Sequence, residues 1–394
     1  MSDGAHGVRQ MERRTELDWL RGLMLVLMTV THLPTWFSQQ LGQPFGFVSA
    51  AEGFVFLSAY LVGAVYVRRA RTRGYDAMRR SLWARALKVY AAHIALLLFL
   101  LLVLVPIAIT RDAHAITDLA SFYMERPHLA LASGVVLGYN PPLLDILPMY
   151  VVFLAASPLV LAHGMRRGFG TLFAVSAVVW LFAQYDGGRH VYESVAALVG
   201  WPIPYSATGA FSFLAWQFLW LVGLRVGAAQ SAHDTLPAPT DSDRWGRVAF
   251  WSAVGVASVF FVWRHAVGQT FGTAELLNAL FDKWHLGPLR LLNFAALALI
   301  VVRMRPILVR VAARSAIVTL GRASLVVFGA HLVICLTALA IVGEATHPYL
   351  HLIDVALLTG TLLALWGVAR VNLDAPQAFR SAGRTVAARL GVRF

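Results

Sequence analysis

Apolar positions in this chain come in long blocks rather than in strict alternation. Almost wholly apolar stretches near 20 residues recur along its whole length, separated by short polar or basic segments. About 20 residues of helix cover ~30 Å, the thickness of a bilayer's hydrocarbon layer. The pattern predicts ten such helices, over 20–38, 47–67, 86–110, 143–163, 170–185, 208–228, 247–265, 286–304, 323–343 and 351–370. The expected fold is therefore all-α, a polytopic transmembrane bundle of about ten spans with both termini cytoplasmic. Residues 1–370 read as one transmembrane domain. Residues 371–394 read as a basic tail whose arginines suit an anionic inner leaflet.

Composition agrees. Hydrophobic residues make up 58% and charged residues only 13%, with mean hydropathy +0.66. A water-soluble domain carries about a quarter charged residues. The net charge of +13 would suit a nucleic-acid ligand, but its distribution argues otherwise. With the N-terminus inside, only Arg111, Arg126, Arg189, Arg264, Lys283 and Arg290 of the 33 Lys and Arg fall outside. That is the positive-inside bias of a membrane protein, and no nucleic-acid partner is expected. The single cysteine, Cys335, excludes an intrachain disulfide. The first apolar segment lacks a small-residue cleavage site, so it reads as a retained helix rather than a signal peptide. No HExxH or cysteine cluster appears, so no metal is expected. Walker, dinucleotide and G-x-S-x-G motifs are also missing.

Ionisable residues inside the apolar blocks point to chemistry, because a charge in hydrocarbon is costly unless it lines a cavity or a site. The first block, "LDWLRGLMLVLMTVTHLP", holds Asp18, Arg21 and His32. Arg21 and His32 are eleven residues apart, about 20° past three full helical turns, so they share one face at ~16 Å separation. Asp18 falls near the same stripe. An imidazole at that depth suits proton transfer near neutral pH, although interface anchoring and packing are the plainer alternatives. In the second block, "FGFVSAAEGFVFLSAYLVG", Glu52 should lie at similar depth and is expected to orient His32 as carboxylates do for catalytic histidines. Its small residues, from Ser49 to Gly63, should let that helix pack closely.

Weaker candidates follow. Asp145 at the start of the fourth span reads as a polar binding group or a helix cap. Trp216 and Gln217 read as cavity lining or core. Lys283, His285, Arg290 and Asn293 cluster at the outer end of the eighth span, as a polar binding group or as interface anchors. His93 and His331 are intramembrane too, and for each packing reads slightly ahead of a functional role. Segments 110–142 and 186–211 are longer than connections require, and long loops are often functional.

Six ordered blocks, "RTELDWLRGLMLVLMTVTHLP", "FGFVSAAEGFVFLSAYLVG", "LLDILPMYVVFLAASPLVL", "FSFLAWQFLWLVG", "LGPLRLLNFAALAL" and "LGRASLVVFGAHLVI", together resemble the OpgC family over nearly the whole chain. The resemblance implies a bacterial inner-membrane succinyltransferase acting on osmoregulated periplasmic glucans. The spacing of Arg21 and His32 is also similar to that of the wider type 3 membrane acyltransferases. By that likeness both are essential, with His32 catalytic. "RRSLWAR" (79–85) resembles that superfamily's basic block.

The implied reaction needs succinyl-CoA or a similar acyl-CoA as co-substrate and a periplasmic glucan as acceptor. Arg79, Arg80, Arg85 and Lys88 are expected to hold the coenzyme phosphates, although the same loop is what inside-positive topology requires. Asp18, Asp145, Trp216, Gln217, Lys283, His285, Arg290 and Asn293 are expected to line the substrate site. Direct transfer and an acyl-histidine intermediate both remain open. So do a proton-coupled transporter, a non-catalytic assembly protein, and the oligomeric state, a homodimer included.

Overall fold

The computed structural model describes residues 14–232, 244–268, 270–344 and 349–389, with backbone only for 39, 232 and 376–389. The helices in chain order are α1 (Thr15–His32), α2 (Trp36–Leu41), α3 (Ala50–Arg73), α4 (Tyr75–Phe99), α5 (Val105–Arg111), α6 (His114–Leu119), α7 (Ser121–Glu125), α8 (Pro127–Val135), α9 (Ile146–Arg167), α10 (Gly170–Ala183), α11 (Gly187–Val199), α12 (Phe213–Ala232), α13 (Arg244–Val267), α14 (Glu275–Leu280), α15 (Pro288–Arg303), α16 (Arg305–Ala312), α17 (Ile317–Arg322), α18 (Ser324–Val342) and α19 (Leu352–Arg389). No strand occurs among the described residues.

Each of the ten predicted blocks is helical. Among the described residues, seven helices are long and apolar enough to cross a membrane, and an eighth if α15 and α16, bent by 71° at their junction, count as one span. The shortfall has two physical causes. Helix α1 carries Glu16, Asp18 and Arg21 in its first two turns, and α10 has only 14 residues. Helix α1 also stops at His32 instead of running to residue 38. Pro34 disfavours helical backbone at the residue before it, and Leu33 is extended. The long connections are not open loops: α6 to α8 occupy the first and α11 the second. At the far end, α19 runs through residue 371 without a break.

Helix α3 is the axis of the bundle. Its most apolar window is 78% buried, against 17% for α13 and 22% for α19 at the periphery. The sequence explains this position. Ser49 and Glu52 close a capping box at its start, and Gly74, at φ +84°, turns the chain directly into α4. Small residues then set the packing. A Cβ on Gly223 or Gly227 of α12 would strike the α3 backbone at Phe56 or Tyr60, and one on Gly63 would strike Leu224. Backbones therefore touch along a small-xxx-small seam. The same device joins α1 to α17, where Gly321 meets the Asp18 carbonyl and Gly22 meets Ile317. Helix α9 runs antiparallel to α4, tied by Trp83 Nε1 donating to the Ala155 carbonyl at 3.3 Å and by Arg85 donating to the Tyr150 hydroxyl at 3.2 Å.

Candidate active site

A cavity of about 480 Å³ lies between α1, α3, α4, α9 and α18. Along α3 it reaches from Tyr66 and Arg69 to Phe54 and Val55. The fifteen residues from Phe54 to Arg69 make that depth ~22 Å. Its position on α4 follows from periodicity: Ser81, Ala84, Arg85, Lys88 and Val89 fall on one face. Four cations line it, Arg21, Arg69, Arg85 and Lys88, and no carboxylate is among the lining residues. Arg85 is held by Tyr150, and Arg21 donates to the Ser324 hydroxyl. The cavity begins at the end of the bundle where Arg68, Arg69, Arg71 and Arg73 close α3. It stops at Phe54 and Phe328, whose rings stack 5.7 Å apart.

One helical turn beyond Phe328 stands His331, with its ring 4.9 Å from that of Phe328. His331 Nδ1 donates to the Phe328 carbonyl at 2.6 Å. Its Nε2 lies 3.2 Å from Nδ1 of His32, and the two imidazoles stack at 5.5 Å and 18°. Helix α1 thus meets α18 at two levels, Arg21 on Ser324 and His32 on His331. The shared face of Arg21 and His32 expected from their spacing is the face that packs on α18. His331 is fully buried, whereas His32 keeps part of its surface accessible.

Glu52 does not orient His32. One carboxylate oxygen accepts from Arg290, and the other accepts from the Ser49 backbone N–H at 3.0 Å and its hydroxyl at 2.6 Å. Glu52 and Arg290 are both essentially inaccessible. Removing one partner of such a buried pair costs about 3–5 kcal/mol, because the other charge is left uncompensated. The capping box and the ion pair use up the carboxylate, and His331 takes the place beside His32.

Asp145 precedes α9, one residue before Ile146 of the cavity wall. Its carboxylate accepts from Ala210 N–H at 3.0 Å instead of capping its own helix. Burial raises it to about 6, against the pull of that N–H and of Lys283. Burial likewise draws the Lys283 ammonium below lysine's ordinary range, while Glu52 and Asp145 oppose the shift and Arg290 adds to it. The Lys283 ammonium lies 4.5 Å above the Trp284 ring. His285 bonds Asp282 at 2.6 Å, which raises its pKa, and sits 3.4 Å from Asp186.

The other expected residues divide. Arg85, Lys88 and Arg21 line the cavity. Arg79 does not: it pairs with Asp76 at 3.4 Å and covers the Trp83 ring at 5.2 Å. Arg80 also lies outside the lining and is exposed, because successive residues of one helix turn face different ways. Asp18 is buried where α1 meets α17. Trp216 is wholly buried and donates to the Trp284 carbonyl at 3.1 Å. Gln217 joins α12 to α10, donating to the Ser176 carbonyl at 2.9 Å and accepting from its hydroxyl at 2.6 Å. Asn293 accepts from Phe47 N–H at 2.9 Å. These last three act as packing and clamping groups rather than as cavity lining.

Sequence reasoning missed Arg69, Tyr66, Tyr150, Ser324 and His331. Arg69 stood in plain view in "RRARTR" (68–73). Ser324 and His331, seven residues apart on one helix stripe, had the right spacing, but nothing local said that α18 would meet α1.

A family model described as OpgC protein matches residues 13–375. No curated protein and no solved structure matches the chain. The six ordered blocks, the helical bundle and a family match over nearly the whole length lead to one assignment: the chain belongs to the OpgC family.

Proposed function

We propose that this protein transfers a succinyl or similar acyl group from acyl-CoA, taken from the cytoplasm, to a hydroxyl of a periplasmic glucan at the bacterial inner membrane. Family membership supports an OpgC-type acyltransferase in general. The observation that carries the finer reading is the cavity: four cations and no carboxylate, reaching the arginine-rich end of α3 and ending one turn short of the histidine pair.

A polyanionic coenzyme fits such a lining. Arg69, Arg85 and Lys88 would take phosphate oxygens, with Arg supplying planar forked donors and Lys a point charge. The narrow pantetheine arm would run up past Arg21 and displace the Phe54–Phe328 pair to bring its thioester to His32. The acceptor hydroxyl would come from the other side, past Asp145, Lys283 and the half-exposed Trp284. His32 takes the hydroxyl proton, and the oxygen attacks the thioester carbonyl. The carbon–sulfur bond breaks, and the departing thiolate takes the proton back from His32. General-base assistance of this kind contributes ~10²–10⁴-fold.

The test is acyl transfer in proteoliposomes holding wild type or His32→Ala, with label on the acyl group and mass analysis of the glucan. Covalent label on glucan in wild type, reduced at least a hundredfold in the variant, is expected. Label crossing the vesicle wall unchanged would instead mark a transporter, and equal transfer by both proteins would remove His32 from the chemistry.

A further inference from the structure

The hydrogen-bond order around the two histidines determines which nitrogen of His32 can act. A carbonyl oxygen only accepts, so the 2.6 Å contact to Phe328 requires the proton of His331 on Nδ1. His331 is fully buried and no carboxylate among the described residues bonds it, so it carries that proton alone, and its Nε2 is a bare lone pair. The 3.2 Å contact then requires His32 to donate from Nδ1. That leaves the lone pair of His32 on Nε2, and nothing among the described residues bonds it.

We infer that His331 is a positioning residue for the transfer: it fixes His32 in the Nδ1–H tautomer and aims Nε2 as the base. This rests on the reading of His32 as general base. His331 takes the part that a buried carboxylate plays in a Ser-His-Asp triad, holding tautomer and ring orientation without touching substrate. A neutral acceptor is the better choice in hydrocarbon, because a second charge beside His32 would itself be costly. Phe328 gives the arrangement a second consequence. Its carbonyl fixes His331 while its ring closes the cavity, so the residue that seals the coenzyme channel also sets the state of the base. When His32 gains the substrate proton, its Nδ1–H keeps its acceptor, and the pair holds one positive charge until the thiolate removes it.

Two measurements test this. The first compares His331→Leu, which removes the acceptor, with His331→Gln, which keeps an acceptor oxygen within reach of His32. Acyl transfer by the Leu variant should fall ~10²-fold or more in kcat with KM for acyl-CoA unchanged, and the Gln variant should stay within ~10-fold of wild type. Equal loss in both, or a loss expressed in KM, overturns the inference. The second needs no change at His331. In ¹⁵N-histidine-labelled wild type in lipid, the resonances that vanish in His32→Ala should show a protonated Nδ1 and a bare Nε2. The opposite tautomer overturns the inference. A wild type whose transfer does not depend on His32 fails the underlying reading instead, and the tautomer measurement separates that failure from this one.

Discussion

At the scale of single residues, the same charged type does different work according to the helix face it occupies. Arg79, Arg80 and Arg85 stand within two turns of α4, yet only Arg85 reaches the cavity. Losing one charge-assisted bond to phosphate costs about 1.5–3 kcal/mol. Arg85→Ala should therefore raise KM for acyl-CoA about 10–100-fold, while Arg79→Ala and Arg80→Ala stay within about twofold. Steady-state kinetics on the three variants checks the assignment. Asp145 offers a pH test of its buried position. Burial lifts its carboxyl from the ordinary 3.8 to about 6, so folding favours the protonated acid. That contribution is complete below the ordinary value and is lost as pH rises through about 6. Asp145→Asn cannot ionise and keeps an acceptor for Ala210. Its stability relative to wild type should therefore rise by about 2–3 kcal/mol between pH 4 and pH 8. Thermal unfolding across that range reads it, and a flat difference would mean that the carboxylate is not desolvated.

At the scale of elements, two close helix contacts position the site. Along α3 and α12, glycines and alanines let backbones touch, which holds the cavity wall that bears Phe54, Val55 and Tyr66. Gly227→Leu has no room beside the Tyr60 carbonyl and should lower stability by at least about 1–3 kcal/mol. Gly255→Leu is the control: a Cβ there meets nothing on peripheral α13. Unfolding in detergent should separate the two variants. The small residues of α3 were legible in the sequence, because close packing needs them. Their partner, the Gly223–Gly227 pair, was in plain view but not tied to α3. Periodicity fixes faces within a helix and says nothing about which helices meet. The failure over Glu52 has the same source. Its depth relative to His32 was inferred from rise per residue, but rise does not fix rotation. The capping box and Arg290 turned the carboxylate away. His331, discounted as a packing residue, has both ring nitrogens bonded and lies beside His32.

At the scale of the whole molecule, the helical blocks were readable because lipid imposes length and apolarity on the chain. The ten-span expectation exceeds the seven or eight helices that meet the length and apolarity criteria because α1 and α10 depart from the norm. Helix α1 carries its charges where Arg21 must reach the cavity, and α10 is short. In the proposed reaction the coenzyme reaches the histidine pair through the basic cavity and the glucan comes past Asp145 and Lys283, so one imidazole serves two approaches.

Sidedness tests that arrangement most directly. Vesicles with uniformly oriented protein would receive labelled acyl-CoA on the arginine-rich face alone and glucan on the opposite face alone. The account predicts label on the glucan in that arrangement, none when the two substrates exchange sides, and none with His32→Ala. Labelling that requires both substrates on one face, or that proceeds at the wild-type rate without His32, would contradict it.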